Sequence, residues 1–136
     1  MKHQLALLLF MLLQFAAYSQ KGGERTAMDK ALQKIELENY AGAIADLSKI
    51  IQTDSMNAEA IFKRGYCHAM ERDHKAALID FNRAIFMNAN ESNWFSERGI
   101  AKMNLRDMEG ACKDWKIAAK MGSPGAEDLI SEYCPE

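Results

Sequence analysis

Apolar and polar positions alternate at helical spacing along most of the chain. Met28, Ala31, Leu32 and Ile35 fall on one helical face and Lys30, Gln33, Lys34 and Glu36 on the other, which predicts a first helix from about Arg25 to Leu37. After Asn39-Tyr40, a second stripe is carried by Ala43, Ile44, Leu47, Ile50 and Ile51. Thr53 to Asn57 has turn chemistry, and Ala58 opens the same plan again. Its first helix carries Ile61, Phe62, Gly65, Tyr66 and Ala69, and its second Ala77, Leu78, Phe81, Ala84 and Ile85. Beyond the Asn88-Ala89-Asn90 turn, Phe95, Gly99 and Ile100 precede Ala111, Trp115, Ala118 and Ala119. Gly122 suits a helix C-cap and Pro124 a first helical turn, so a last helix is expected from Pro124 to about Tyr133. No strand-like alternation appears, and the pattern predicts an all-α fold.

The plan recurs with a fixed period. A shift of 34 residues lays Arg64 on Arg98, Gly65 on Gly99, Arg72 on Arg106, Asp73 on Asp107, Ala77 on Ala111, Asp80 on Asp114 and Ala84 on Ala118, with Phe81 on Trp115. Asn39, Asp73 and Asp107 share that spacing and read as N-caps, which extends the repeat back to a third, more degenerate copy. Asp80 and Asp114 read as solvent-facing helix positions. Glycine inside a helix costs about 1 kcal/mol against alanine. Gly65 and Gly99 therefore call for the close approach of a neighbouring helix.

These residues resemble a known family. Small residues at the eighth place (Ala31, Gly65, Gly99) and the twentieth (Ala43, Ala77, Ala111), with a large apolar one at the twenty-fourth (Leu47, Phe81, Trp115), are similar to the tetratricopeptide repeat, or TPR. Its twenty-seventh place, also small, holds Ile50, Ala84 and Ala118. The resemblance implies a helix-turn-helix repeat solenoid of about seven helices, with repeats at about 24–57, 58–91 and 92–125 and a capping helix at about 124–133. Two departures stand out. The eleventh places hold Lys34, His68 and Lys102 instead of aromatic residues, and the thirty-second places hold Ser55, Ala89 and Ser123 instead of proline.

The string Asp107 to Trp115, with Gly122 and the closing Tyr133-Cys134, is similar to exported bacterial TPR proteins that end this way. That likeness gives Cys112 and Cys134 meaning as a disulfide, two separate thiols being the alternative. The two cysteines lie eleven residues before and after Ser123, as partners across a helical hairpin should. Closing a loop of about 20 residues would add about 3 kcal/mol.

Function follows from the resemblance more than from composition. It implies a non-catalytic module that binds another protein or peptide, with self-association as a further possibility. The inner face of each first helix would form a groove. Carried over, that face holds Phe62, Tyr66, Ala69 and Met70 from the second copy and Asn93, Ser96, Ile100 and Met103 from the third, with Met28, Leu32 and Ile35 extending it. The family's Lys/Asn/Arg clamp for a C-terminal carboxylate has no match, since those places hold Met28, Leu32, Lys63, Asn93 and Glu97.

The N-terminus points to export. Lys2 and His3, an apolar run from Leu5 to Phe15 and the small residues of Ala17-Tyr18-Ser19 have the layout of a cleaved signal peptide at 1–19, leaving a TPR domain at 20–136. The expected location is periplasmic or secreted. The net charge of −2 is spread along the chain, and no basic stripe argues for nucleic acid.

Candidate chemistry is thin. Cys67 and His68 are neighbours in a helix and point about 100° apart. With only His74 besides, a zinc site is hard to assemble, and no metal or other cofactor is expected. Cys67 reads as a compact packing residue, the alternative being a thiol-redox protein that uses Cys67 with the C-terminal cysteines. No Gly-rich loop follows a strand and no G-x-S-x-G elbow occurs, so no enzyme is expected.

Overall fold

The computed structural model describes residues 26–135 as helices joined by short turns. In order they are α1 (Ala27–Glu36), α2 (Tyr40–Thr53), α3 (Ala58–Met70), α4 (His74–Met87), α5 (Ser92–Asn104), α6 (Met108–Lys120) and α7 (Ala126–Tyr133). The expected signal peptide lies outside the described residues. The pairs α1/α2, α3/α4 and α5/α6 pack as hairpins, each hairpin packs on the next, and α7 covers α6. One core runs through the stack from Ala31 to Ala126.

Each repeat starts and stops its helices with the same few bonds. The side chains of Asn39, Asp73 and Asp107 accept the amides of Gly42, Ala76 and Gly110 at 3.0, 3.1 and 2.9 Å, satisfying donors that the first helical turn leaves free. Thr26 and Asp29 form a reciprocal capping box that trims α1 to a start at Ala27. Between the helices of a hairpin, Glu38, Arg72 and Arg106 take left-handed φ angles of 56°, 64° and 68°. The next residue's amide then reaches back five residues: Asn39 to Lys34 O, Asp73 to His68 O and Asp107 to Lys102 O, at 2.8 to 2.9 Å. The residue that closes one helix thus caps the next.

The last hairpin departs from expectation. Gly122 takes the left-handed turn (φ 80°), but Pro124 and Gly125 form a further turn and α7 begins at Ala126. Gly125, at φ 76°, holds the chain in a conformation incompatible with a helix running from Pro124.

The period-34 glycines sit under aromatic rings. A Cβ built on Gly65 would lie 2.9 Å from Phe81 Cδ1, and one on Gly99 would lie 2.7 Å from Trp115 Cδ1. The degenerate first repeat pairs Ala31 with the smaller Leu47, and both are fully buried. Trp115 is also fully buried, and its indole N–H donates to the Ser96 carbonyl at 3.2 Å.

Asp80 and Asp114 do not face solvent as expected. They are 4% and 2% exposed, and each accepts two hydrogen bonds from an arginine at 2.7 to 2.8 Å, Arg64 on Asp80 and Arg98 on Asp114. The third guanidinium nitrogen of each reaches the preceding hairpin, Arg64 to Ser48 at 3.3 Å and Arg98 to Asn82 at 3.1 Å. One side chain therefore ties its own hairpin together and binds it to its neighbour. Lys102 adds a second cation to Asp114 at 2.8 Å, and Lys34 pairs with Asp46 at 2.6 Å. The eleventh place thus carries a lysine that serves the carboxylate, which explains two of its departures from an aromatic residue.

Two outcomes test this packing. Gly99→Ala is expected to cost about 1–3 kcal/mol by overpacking, and Trp115→Leu to cost less in that background than in the native chain, because Ala with Leu is the pairing the first repeat already uses. Additive losses in denaturant melts would contradict the size match. Asp114→Ala, which strands Arg98 and Lys102, is expected to cost about 3–5 kcal/mol, read from the same melts.

Candidate functional site

The first helices and the second helices lie on different sides of the stack. The backbones of α3 and α5 approach one another directly, and no two second helices do so to the same extent. The second and third hairpins therefore converge on the α3/α5 side, the inner side, and splay on the α4/α6 side, the outer side.

The expected groove residues do not share one environment. Phe62 is a correction: it is 4% exposed, stacked on the Trp94 ring at 4.8 Å between centroids and tilted against Phe81 at 5.3 Å. Trp94, from the next hairpin, covers the face that Phe62 was expected to offer. Tyr66 and Ala69 are half-buried and pack on the edge of the core, as do Met28 and Ile35. Met70 is 46% exposed, Asn93 is exposed, and Ile100 and Met103 are half-buried. Ser96 is occupied structurally, its hydroxyl 3.0 Å from that of Ser123. Met103 lines a recess of about 540 Å³ with Asn104, Arg106, Met108 and Tyr133, and Leu32 a recess of about 360 Å³ with Asp29, Gln33 and Glu36. Of the expected groove residues on α3 and α5, Tyr66, Met70, Asn93, Ile100 and Met103 retain solvent access, beside the polar Lys63 and Glu97.

The charge on this side does not suit a terminal carboxylate. Glu97 occupies a place where the family's clamp carries a cation, and burial raises its pKa above the ordinary carboxylate value. A carboxyl group there supplies no cation to an incoming carboxylate.

Cysteine chemistry is divided between two places. Cys112 on α6 and Cys134 at the end of α7 are joined by a disulfide, their Cα atoms 5.8 Å apart. The bond pins a helix of eight residues whose one fully buried side chain is Ala126. Tyr133 adds a ring contact to Trp115 at 5.9 Å. Cys67 is free and fully buried, and burial pushes its thiol up to about 11. A thiol held in its protonated form opposes nucleophilic or redox use.

Sequence reasoning missed Trp94 and the two arginine–aspartate pairs. Trp94 has no counterpart in the other repeats, which hold Ala60 and Thr26 at that place, so no pattern announced it. The pairs did leave a signal: Arg and Asp recur together at a fixed separation of 16 residues.

Comparison with known proteins fixes the class of fold. No family model matches the chain. Among curated proteins, human FKBP4, a peptidyl-prolyl cis-trans isomerase, is 23% identical over 101 residues, which are 74% of this chain and 22% of FKBP4. The mouse and rat proteins are 25% identical over the same length. The chain thus spans about a fifth of these relatives. Among solved structures, the first TPR of Spaghetti (RPAP3) bound to the HSP90 peptide SRMEEVD superposes with a TM-score of 0.75 at 21% identity, covering 79% of this chain and 86% of that one. The second TPR domain of human RPAP3, in complex with the HSP70 peptide SGPTIEEVD, gives 0.75 at 21% identity, covering 81% and 93%. PcrH in complex with the chaperone-binding region of PopD gives 0.68 at 16% identity, covering 79% and 82%. The molecule is a stack of helical hairpins. It has the tetratricopeptide-repeat fold.

Two measurements check the cysteine assignments. Cys112→Ser with Cys134→Ser is expected to cost about 3 kcal/mol, and reduction of the native chain to lower its melting temperature correspondingly. An unchanged melt would contradict a stabilising bond. The unfolded Cys67 thiol titrates near 9.0 and the folded one near 11, so the unfolded state gives up its proton first. Stability from this group is whole below the unfolded pKa and falls as pH rises from 9.0 toward 11. Cys67→Ala is expected to remove that decline from alkaline denaturation curves.

Proposed function

We propose that this chain is a non-catalytic adaptor of the bacterial cell envelope, exported by the leader at 1–19, that binds a peptide or amphipathic helix of another protein along the inner faces of α1, α3 and α5. The observation that carries the reading is the apolar strip of Tyr66, Met70, Ile100 and Met103. Tyr66 and Ile100 share one place in the repeat, Met70 and Met103 do not, and all four retain solvent access. Methionines adapt to varied partners, and an aromatic ring at the edge of a groove supplies an anchor. The peptide complexes of the RPAP3 domains and of PcrH support this use of the fold. An intramolecular disulfide fits the oxidising compartment that export would supply.

The ligand differs in kind from those of the RPAP3 domains. Met28, Leu32 and Glu97 stand where a carboxylate clamp needs donors or cations, so an internal, apolar segment is favoured over a carboxyl terminus. In calorimetry, the peptide SRMEEVD is expected to show no measurable binding to this chain. Capture of crosslinked partners from a periplasmic extract is expected to fall at least about tenfold with Tyr66→Ala plus Met103→Asp, compared at a temperature where melts show both chains fully folded. Tight binding of SRMEEVD, or capture that ignores the double substitution, would overturn the groove assignment.

A further inference from the structure

The outer side of the stack carries a surface that the fold does not explain. On α4 the residues Lys75, Ile79, Asn82 and Phe86 form one exposed stripe at helical spacing. Phe86 is 92% exposed and Ile79 69%. Neither is a feature of the repeat, since the corresponding places hold Ala45 and Lys113 for Ile79, and Gln52 and Lys120 for Phe86. The flanking helices supply mostly positive charge. Within α2, α4 and α6 the exposed charged residues are Lys49, Lys75, Lys113, Lys116 and Lys120, against Glu109, with the exposed carboxylates of Asp54, Asp73 and Asp107 at the helix ends. Glu109 is held by Lys113 at 2.6 Å, which leaves the other four lysines without an ion-pair partner among the described residues. In a chain of net charge −2 this is a segregated basic face. Lys113, Lys116 and Lys120 share α6, and the stacking of second helices brings Lys75 and Lys49 to the same side.

We propose that this outer face docks on an anionic phospholipid bilayer, with Phe86 and Ile79 entering the headgroup boundary and the lysines pairing with lipid phosphates. Three features favour that occupant. A second copy placed face to face would set lysine against lysine. The two apolar side chains together expose only about 300 Å², well short of the ~800 Å² per partner that a stable protein interface buries. The face lies on the outside of a curve, a ridge that a flat, deformable surface meets without needing a matching concavity. Lysine stems lie along apolar surface while their ammonium groups reach the phosphates, and an aromatic tip among them is the usual arrangement of interfacial helices. The inner groove would remain open, so this inference does not rest on the peptide-binding reading.

The test is cosedimentation of the disulfide-bonded chain with vesicles of phosphatidylcholine alone or with about 30 mol % phosphatidylglycerol. Binding is expected only to the anionic vesicles and to weaken in high salt. Phe86→Ser is expected to lower it about tenfold, and Lys116→Glu with Lys120→Glu more than about 25-fold, each lysine near an anionic surface being worth about fivefold. All three positions are exposed, so melting temperatures should hold. A Phe86→Trp variant supplies a direct reporter, its emission shifting to the blue on anionic vesicles. The proposal is overturned by equal binding to both vesicle types or by binding indifferent to Phe86. It is also overturned by equally tight binding to soluble polyglutamate, which would mark an acidic-protein site, or by a dimer that Phe86→Ser dissolves.

Discussion

The contact of an aromatic ring with the bare backbone of a facing helix sets the geometry of this molecule. Trp115 and Phe81 lie where side chains on Gly99 and Gly65 would otherwise stand, and the first repeat fills the corresponding places with a fully buried Ala31 and Leu47. As one partner grows the other shrinks, so three different sequences give the same hairpin. The residues just before these carry the second constraint. Arg64 precedes Gly65 and Asp80 precedes Phe81, and likewise Arg98 and Asp114 precede Gly99 and Trp115. Ring and ion pair therefore close the same crossing side by side. Because each arginine also reaches back to Ser48 or Asn82, a single guanidinium couples the shape of a hairpin to its place in the stack. The cost of desolvating these charges is met only with every donor in place, which makes the register of the helices specific.

A scaffold held this way leaves its function to residues that the repeat does not dictate. Those residues fall on two sides. The inner side offers an apolar strip from α3 and α5, bordered by a raised-pKa carboxyl at Glu97. The outer side offers Phe86 and Ile79 among lysines. Curvature separates the two, so that one stack can present a partner-binding groove and a docking ridge without conflict. The disulfide holds α7 against α6 and so closes the far end of the core, where three repeats alone would leave Trp115 beside an exposed edge.

Much of the fold was legible because its requirements recur. The caps at Asn39, Asp73 and Asp107, the small eighth and twentieth places and the large twenty-fourth place all repeat at 34 residues, and each has one physical job. Recurrence is blind to burial, however. Asp80 and Asp114 repeat as faithfully as a cap would, and only the matching recurrence of Arg64 and Arg98 distinguishes a buried pair from a solvated face. Features unique to one repeat were harder still. Trp94 gave no warning that it would cover Phe62, and Gly125 overruled the helix start that Pro124 suggested. Of the outer-face lysines, Lys113, Lys116 and Lys120 are neighbours on one helix, but that Lys49 and Lys75 join them is a product of stacking and not of sequence.

The central claim is that the accessible, non-repeating residues of the inner face receive a partner segment. Amide chemical-shift mapping of the labelled, disulfide-bonded chain, titrated with a peptide selected against it from a random library, tests this most directly. The account predicts shifts concentrated on α3 and α5 around Tyr66, Met70, Asn93, Ile100 and Met103. Shifts confined to α2, α4 and α6 would contradict it.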